Sequence, residues 1–266
     1  MADGTQTAET ARTAHAALPP LGVAAVLNDS LEQYAAAFVP LTAAVLVPDA
    51  IGSALTGAVF GARTVLMADY GAWGVAATLT HYLIAGAVGG IAVVLMVHGP
   101  DRDTGGRTHT APPGLLAAWG GALVLLPRAA LVSAAMTVAL LLGFALAVIP
   151  AFWVLGLLAV AIPAVAVERR GWDALARSAA LTKGYRWPVA LVSSILFLPL
   201  VVAGFLFEQL LFRMVLRWEP WAALMLEPLV YAAPATLSIV FAARLYRRLR
   251  ALCDAPADAE IAAVFA

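Results

Sequence analysis

The sequence predicts an all-α integral membrane protein with six transmembrane helices in three hairpins, each hairpin preceded by a cytoplasmic amphipathic or interfacial helix. The first observation behind this prediction is composition. Apolar residues occupy 63% of the 266 positions and charged residues 12%, and the mean hydropathy is +0.91. Soluble domains average about 45–50% apolar and about 25% charged residues, so this balance excludes an ordinary soluble globular domain.

The second observation is the number of apolar runs long enough to cross a bilayer. A hydrocarbon core about 30 Å thick needs about 20 helical residues. Six runs approach or exceed this length, and they lie at about 35–61, 74–98, 129–148, 151–167, 188–206 and 221–243. Between residues 206 and 218 we expect a further helix in the outer interface, because Arg213 and Arg217 are four residues apart in apolar surroundings and Trp218 follows.

The third observation is the placement of the 16 basic residues. With the amino terminus inside, thirteen of them fall in cytoplasmic segments, and only Arg63, Arg213 and Arg217 fall outside. Lys and Arg are enriched in the cytoplasmic loops of membrane proteins. This bias therefore predicts that the amino and carboxyl termini are both cytoplasmic.

The chain divides into three segments on this interpretation. Residues 1–20 are rich in Ala and Thr and lack the basic and apolar regions of a signal peptide, so we predict a disordered cytoplasmic tail. Residues 21–250 form the six-helix membrane domain. Residues 251–266 form a short cytoplasmic tail that contains the lone Cys253, to which we assign no role.

Shorter amphipathic segments precede each pair of predicted spans. They run from Leu21 to Gln33, from Gly114 to Leu126 and from Trp172 to Leu181. In the third, Asp173 suits the positive amino-terminal end of a helix. A threefold repeat of interfacial helix and hairpin is one interpretation. The other is that any membrane hairpin needs a polar helix before it.

The densest basic charge lies between the fourth and fifth predicted spans. The fourth span ends at Glu168, and five basic side chains follow before the next span: Arg169, Arg170, Arg177, Lys183 and Arg186. Each Lys or Arg near an anionic leaflet contributes about 1 kcal/mol to membrane attraction. We predict that these residues form a surface for lipid headgroups or for a partner protein. The alternative is that they only fix topology and cap helices.

Ionisable side chains at membrane depth are costly and are therefore candidates for function. The predicted spans contain Asp49, His81 and Glu227. Asp49 follows Pro48 and Glu227 precedes Pro228, so both carboxylates lie where a helix is expected to be kinked or broken. This pattern predicts an ion or proton site in a small transporter or channel. A hydrated or paired role in packing is the alternative.

Motifs of the common enzyme classes are absent from the sequence. The four histidines and one cysteine form no HExxH or CxxC pattern, and no GxSxG, Walker or GxGxxG motif occurs. We therefore expect no catalytic site, metal or cofactor. The expected partners are membrane lipids, including anionic ones, and a membrane-protein partner is an open alternative. Nucleic acid is not an expected partner, and the sequence does not indicate an oligomeric state.

Residues 162–187 carry a distinctive pattern. A span ends in Pro163 and Glu168, a helix contains Ala-Leu-x-x-Ser at 174–178, and Leu-Thr-x-Gly at 181–184 precedes Trp187. In this pattern the chain resembles the YciC-like group of bacterial inner-membrane proteins, which is similar to the membrane domain attached to some glycerophosphodiester phosphodiesterases. The resemblance implies a bacterial inner-membrane location and a six-span fold over most of residues 22–250. The phosphodiesterase domain has no counterpart in this sequence, so we expect no diesterase activity.

These predictions together indicate a multi-pass inner-membrane protein that organises lipid or assists an envelope or transport system. A small transporter or channel using Asp49 and Glu227 is the alternative.

Overall fold

The computed structural model describes residues 21–66, 71–98, 113–215 and 219–264. These residues form ten helices and no strand, which confirms the all-α prediction for the described part of the chain. The first five are α1 (Val23–Ala36), α2 (Phe38–Phe60), α3 (Ala62–Leu66), α4 (Gly71–His98) and α5 (Leu115–Leu146). The others are α6 (Val148–Leu158), α7 (Ala161–Glu168), α8 (Asp173–Leu181), α9 (Arg186–Val215) and α10 (Pro220–Val264). The predicted tail at 1–20 lies outside the described residues.

Five stretches among the described residues are long and apolar enough to cross a membrane. They are Phe38–Phe60, Thr78–His98, Leu115–Leu146, Ile149–Glu168 and Pro220–Asp254. The apolar stretch of α9, Arg186–Leu196, is shorter than the other five, so the fifth predicted span, at about 188–206, has no full-length counterpart among the described residues. These helices are those expected of a membrane protein, and five of the six predicted spans have a counterpart among them.

Helix α4 lies at the centre of the bundle. It packs against α2, α5, α7 and α10, and its residues 91–94 are fully buried. Burial on every side, as in this carboxyl-terminal half of α4, is typical of the interior of a helical membrane protein; the first half includes exposed residues such as Leu79 and Ile84. Around it, α10 also packs against α1, α2 and α9, while α6 packs between α5 and α9.

The second predicted amphipathic helix is not a separate element. Gly114 is the amino-terminal cap of α5 and residues 115–126 are its first part, in a continuous helix of 32 residues with Pro127 in its interior. At 1.5 Å per residue, α5 is about 48 Å long. The predicted boundary is wrong because the buried side chains continue at helical spacing across the proline, at Ala118, Ala122, Leu125, Ala129 and Val132. The first and third amphipathic segments are present as α1 and α8.

Two other predicted boundaries also fall inside continuous helices. Helix α9 runs from Arg186 to Val215 without an interruption at 206, so the described part of 206–218 is not a separate interfacial helix. Helix α10 runs for 45 residues through position 250. Its length of about 67 Å exceeds a hydrocarbon core of about 30 Å, so one end of α10 must extend beyond the membrane.

Helix α2 is continuous past Pro48 and α10 is continuous past Pro228, so the predicted breaks at these two prolines are wrong. Pro48 has no N–H to donate to the carbonyl of Ala44, four residues earlier. The indole Nε1–H of Trp119 in α5 donates to that oxygen at 3.2 Å. At the same turn, a Cβ on Gly89 would lie 3.0 Å from Val45 Cα, so α4 also approaches closely. The carbonyl that Pro48 releases therefore bonds α2 to α5 where α4 also packs closely.

The span Ile149–Glu168 is interrupted between Leu158 and Ala161. Buried side chains of α8 satisfy the backbone at this interruption. Ser178 Oγ donates to the carbonyl of Leu157 at 2.8 Å and accepts from the N–H of Val160 at 3.4 Å. Thr182 Oγ1 lies 3.5 Å from the same Leu157 carbonyl, and it also donates to the carbonyl of Ser178 at 2.9 Å. The Ser and Thr of the pattern at 174–184 thus dock α8 onto the interrupted span.

A close contact between α6 and α9 provides a test of this packing. A Cβ on Gly156 would lie 2.5 Å from the carbonyl oxygen of Arg186 and 2.9 Å from Ala190 Cβ. We expect Gly156→Ala to destabilise the protein by about 1–3 kcal/mol, the usual range for overpacking. Thermal unfolding in detergent measures the effect. Gly120→Ala is the matched control, because nothing lies within 4 Å of a Cβ at that helical position; equal melting temperatures for the two variants would contradict the α6–α9 contact.

Candidate functional site

The ends of α7 and α10 and the helix α8 bring charged side chains together around Glu168. Its carboxylate accepts hydrogen bonds from Arg177 Nε at 2.9 Å and from Tyr246 Oη at 2.5 Å, and it also binds Arg170 Nε. The second arm of Arg177 donates to Asp254 Oδ2 at 2.8 Å. Burial alone would lower the pKa of Arg177, but its bonds to Glu168 and Asp254 raise it. Arg177 on α8 is therefore charged, and its two ion pairs link α8 to α7 and to α10.

Of the five basic residues predicted to form a surface, some bond to other groups of the protein and others are exposed without a carboxylate partner. Glu168 and Asp254 engage Arg170 and Arg177. Arg186 lies over the ring of Trp153 at 5.1 Å and donates to the carbonyl of Ala179 at 3.4 Å. The remaining two, Arg169 and Lys183, are exposed and lie within 4.0 Å of no carboxylate in the described part of the chain.

Arg169 is the carboxyl-terminal cap of α7 and has a φ of 53°. This left-handed conformation is uncommon for a residue other than glycine. It turns the chain away from the helix, and the carbonyl of Arg169 accepts a hydrogen bond from Arg128 at 2.8 Å. A second arginine, on α5, is thereby brought to the same place.

Arg128 was not among the predicted site residues. It lies next to Pro127 within apolar sequence, and the only available signal was its isolation there. Its link to residue 169 is a bond to a backbone carbonyl across 41 positions, which no side-chain pattern reveals. In the described part of the chain, Arg128 also lacks a carboxylate within 4.0 Å.

A cleft of about 710 Å³ lies between α4, α5 and α7. Arg128 and Arg169 contribute basic side chains to its lining. Most of the rest is apolar and includes Leu95, Val124 and Val167. This combination of apolar walls and a few charged groups is typical of a ligand-binding cleft.

The three predicted intramembrane residues lie in one connected set of polar side chains. His81 Nε2 on α4 is 3.1 Å from Asp49 Oδ1 on α2. The adjacent Tyr82 donates from its hydroxyl to Glu227 Oε1 on α10 at 2.6 Å. The rings of His81 and Tyr82 are stacked with centroids 4.8 Å apart. Gly52 permits the approach of α2, because a Cβ there would overlap the His81 ring.

Asp49, His81 and Glu227 are predicted candidates, but Tyr82 is not. Tyr82 had no signal of its own, because a tyrosine in an apolar helix is common. Among the described residues, no group of three or more His, Cys, Asp or Glu side chains could hold a metal ion. The set therefore offers hydrogen-bonding and proton-accepting atoms, arranged as two pairs that link α2, α4 and α10.

Comparison with known proteins finds no matching family model, no matching curated protein and no matching solved structure. The resemblance to the YciC-like group therefore rests on residues 162–187 alone and remains a hypothesis.

Glu168 provides a test of the charged network. In Glu168→Gln, Arg170 and Arg177 lose a negative partner, and the amide cannot accept from all three donors. We expect a loss of stability of about 1–3 kcal/mol, typical for leaving polar groups unsatisfied. Thermal unfolding at neutral pH measures this. Glu32→Gln makes the same change at an exposed carboxylate of α1 without an ion pair among the described residues and should leave the melting temperature unchanged; a similar effect of both variants would refute the role given to Glu168.

Proposed function

We propose that this chain is a non-enzymatic, six-span protein of the bacterial inner membrane that gathers anionic phospholipid at its cytoplasmic face. It acts there as an organiser of lipid or as an accessory to an envelope or transport system. The resemblance of residues 162–187 to the YciC-like group supports this location. The proposal includes cytoplasmic amino and carboxyl termini and a sixth span in α9.

Support for the orientation comes from contacts among residues that charge counting assigns to the cytoplasm. Arg244 on α10 binds Gln33 Oε1 on α1, and Arg248 donates to the carbonyl of Leu21 at 3.4 Å. Gln33 also donates to the carbonyl of Val97 near the end of α4. Helices α1, α4 and α10 therefore meet beside basic residues assigned to one side of the membrane, as the positive-inside pattern requires.

The observation that carries the lipid proposal is a set of exposed residues around α8. Trp172 and Trp187 are 59% and 60% exposed, and the exposed Arg169 and Lys183 lie within four residues of them in the sequence. We call these four residues the basic interfacial surface. Tryptophan favours the headgroup level of a bilayer, and basic residues near an anionic leaflet are each attracted by about 1 kcal/mol. The combination favours contact with anionic headgroups.

Charge reversal tests the basic interfacial surface. We expect the double variant Arg169→Glu and Lys183→Glu to lower the ratio of phosphatidylglycerol to phosphatidylcholine around the protein severalfold, because attraction becomes repulsion. The ratio is measured by lipid mass spectrometry after gentle extraction from mixed bilayers. Arg170 and Arg177 are left intact because they hold the Glu168 network.

The matched control is Arg169→Lys with Lys183→Arg, which conserves charge and should conserve the lipid ratio. An unchanged ratio in the charge-reversed protein, with its melting temperature preserved, would overturn the proposal.

Transport is a second candidate function, favoured by the connected polar side chains of Asp49, His81, Tyr82 and Glu227. Ionisable groups of three helices in contact at membrane depth are typical of ion and proton pathways. Against this, each carboxylate already has a partner within the chain. A pathway would therefore require these pairs to exchange partners during transport.

Proton flux tests the second candidate. If protons pass through these groups, wild-type protein in liposomes should dissipate an imposed pH gradient, and Asp49→Asn with Glu227→Gln should reduce the rate to that of protein-free vesicles. An internal pH-sensitive dye reports the rate. Asp173→Asn is the control carboxylate outside the polar set and should leave the flux unchanged. A wild-type rate equal to that of empty vesicles would exclude proton transport.

A further inference from the structure

The arginines that line the cleft between α4, α5 and α7 differ from Arg170 and Arg177 in lacking a carboxylate partner among the described residues. Glu168 directs its oxygens to Arg170, Arg177 and Tyr246. The only acidic side chain at the end of α7 is therefore already engaged beside the cleft. Among the described residues, Arg128 and Arg169 have no carboxylate within 4.0 Å. The cleft consequently carries two positive charges that the described fold leaves uncompensated.

The single bond between the two arginine residues orients the first without neutralising it. Arg128 Nη1 donates to the carbonyl of Arg169 at 2.8 Å, which leaves other guanidinium donors of Arg128 available to a ligand. A guanidinium has five N–H donors in a planar fork and binds phosphate through two parallel hydrogen bonds. Two such groups at one cleft favour a phosphate oxyanion as the ligand.

The backbone holds Arg169 at this place. Its left-handed conformation follows directly after Glu168, whose position is fixed by α8 and α10 through Arg177 and Tyr246. Uncommon backbone conformations of this kind persist where the surroundings fix them. The Glu168 network thus serves to present Arg169 beside the cleft.

The apolar walls indicate what the phosphate is attached to. Leu95, Val124 and Leu125 line the cleft, and Val124 is 80% exposed, so one wall continues onto the outer surface of α5. A free phosphate ion would gain nothing from these walls. A phospholipid would place an acyl chain along them, in a cleft whose volume of about 710 Å³ lies in the range of about 300–1,000 Å³ for small-molecule sites.

We propose that this cleft binds one anionic phospholipid, with its phosphate at Arg128 and Arg169 and an acyl chain against Leu95, Val124 and Leu125. A lipid with a cationic amine in its headgroup is disfavoured by the two arginines. This inference rests on the proposed function and assigns it a single saturable site, distinct from the general enrichment of anionic lipid around the basic interfacial surface.

Native mass spectrometry of the full chain, released from bilayers of phosphatidylglycerol and phosphatidylcholine, tests the inference. We expect wild-type protein to retain one phosphatidylglycerol molecule, and Arg128→Gln with Arg169→Asn to lose it at least tenfold more readily. Asn is chosen at 169 because it tolerates the left-handed conformation. Lys183→Gln, which removes one positive charge outside the cleft, should retain the lipid, and Arg169→Asn alone is its one-charge counterpart within the cleft.

Thermal unfolding is the second measurement. Added phosphatidylglycerol should raise the melting temperature of wild type, because a ligand that binds only the folded state stabilises it, and should raise that of the double variant much less. If the double variant does not fold, Arg169→Asn alone is tested in the same way. Inorganic phosphate should not release the bound lipid; release by millimolar phosphate would identify a free-anion site and overturn the lipid assignment.

Equal retention by wild type and the cleft variants would also overturn this inference. The proposed function fails separately. Arg169 belongs to both the surface and the cleft, so Lys183→Glu alone reports on the surface. If the bulk lipid ratio responds to Lys183→Glu but no single lipid is retained, the surface stands and the cleft site is wrong. If neither measurement responds, both are wrong.

Discussion

Hydrogen bonding of the backbone within hydrocarbon is the constraint on which the rest of this structure depends. A carbonyl or N–H that a helix releases at membrane depth has no water to bind, so the protein must supply a partner. Two such releases in the described chain illustrate this. Pro48 frees the carbonyl of Ala44, which Trp119 satisfies, and the interruption between α6 and α7 frees groups of Leu157 and Val160, which Ser178 satisfies. In both places the partner comes from another helix, so the satisfied bond also fixes how helices pack.

The second of these bonds determines the arrangement of charge. Because Ser178 anchors α8 at the interrupted span, Arg177 on the same helix lies within reach of Glu168 at the end of α7. The long α10 adds Tyr246 and Asp254 to the same place. Arg170 and Arg177 are thereby used in holding the fold, and Arg169 is turned outward beside Arg128. A polar side chain needed to satisfy backbone inside the membrane thus decides which arginines remain available at its surface.

Much of this fold follows from short-range patterns. Composition gave the all-α membrane class, apolar runs gave five of the spans, and helical spacing gave α1 and α8. The continuity of α5 across Pro127 did not follow, because it depends on burial of a stripe of alanines and leucines by neighbouring helices. The charges at the span end, Glu168, Arg169 and Arg177, could be predicted from the sequence. Which of the arginines form ion pairs could not be predicted. That difference depends on Tyr246 and Asp254, more than 75 positions away, and Arg128 entered the site only through a backbone carbonyl.

The two polar regions of the bundle differ in how their ionisable side chains are bonded within the chain. Asp49 pairs with the side chain of His81, and Glu227 accepts a hydrogen bond from the side chain of Tyr82, so both carboxylates have side-chain partners that link helices. Arg128 and Arg169 share a carbonyl bond, which fixes geometry but adds no negative charge. A charge held near low-dielectric surroundings is costly unless a counter-charge approaches it. In the orientation that we propose, these arginines face the cytoplasmic leaflet, where phosphates of anionic lipids are the nearest counter-charges. The uncompensated arginines would then be better suited than the intramembrane pairs to hold a ligand from the bilayer.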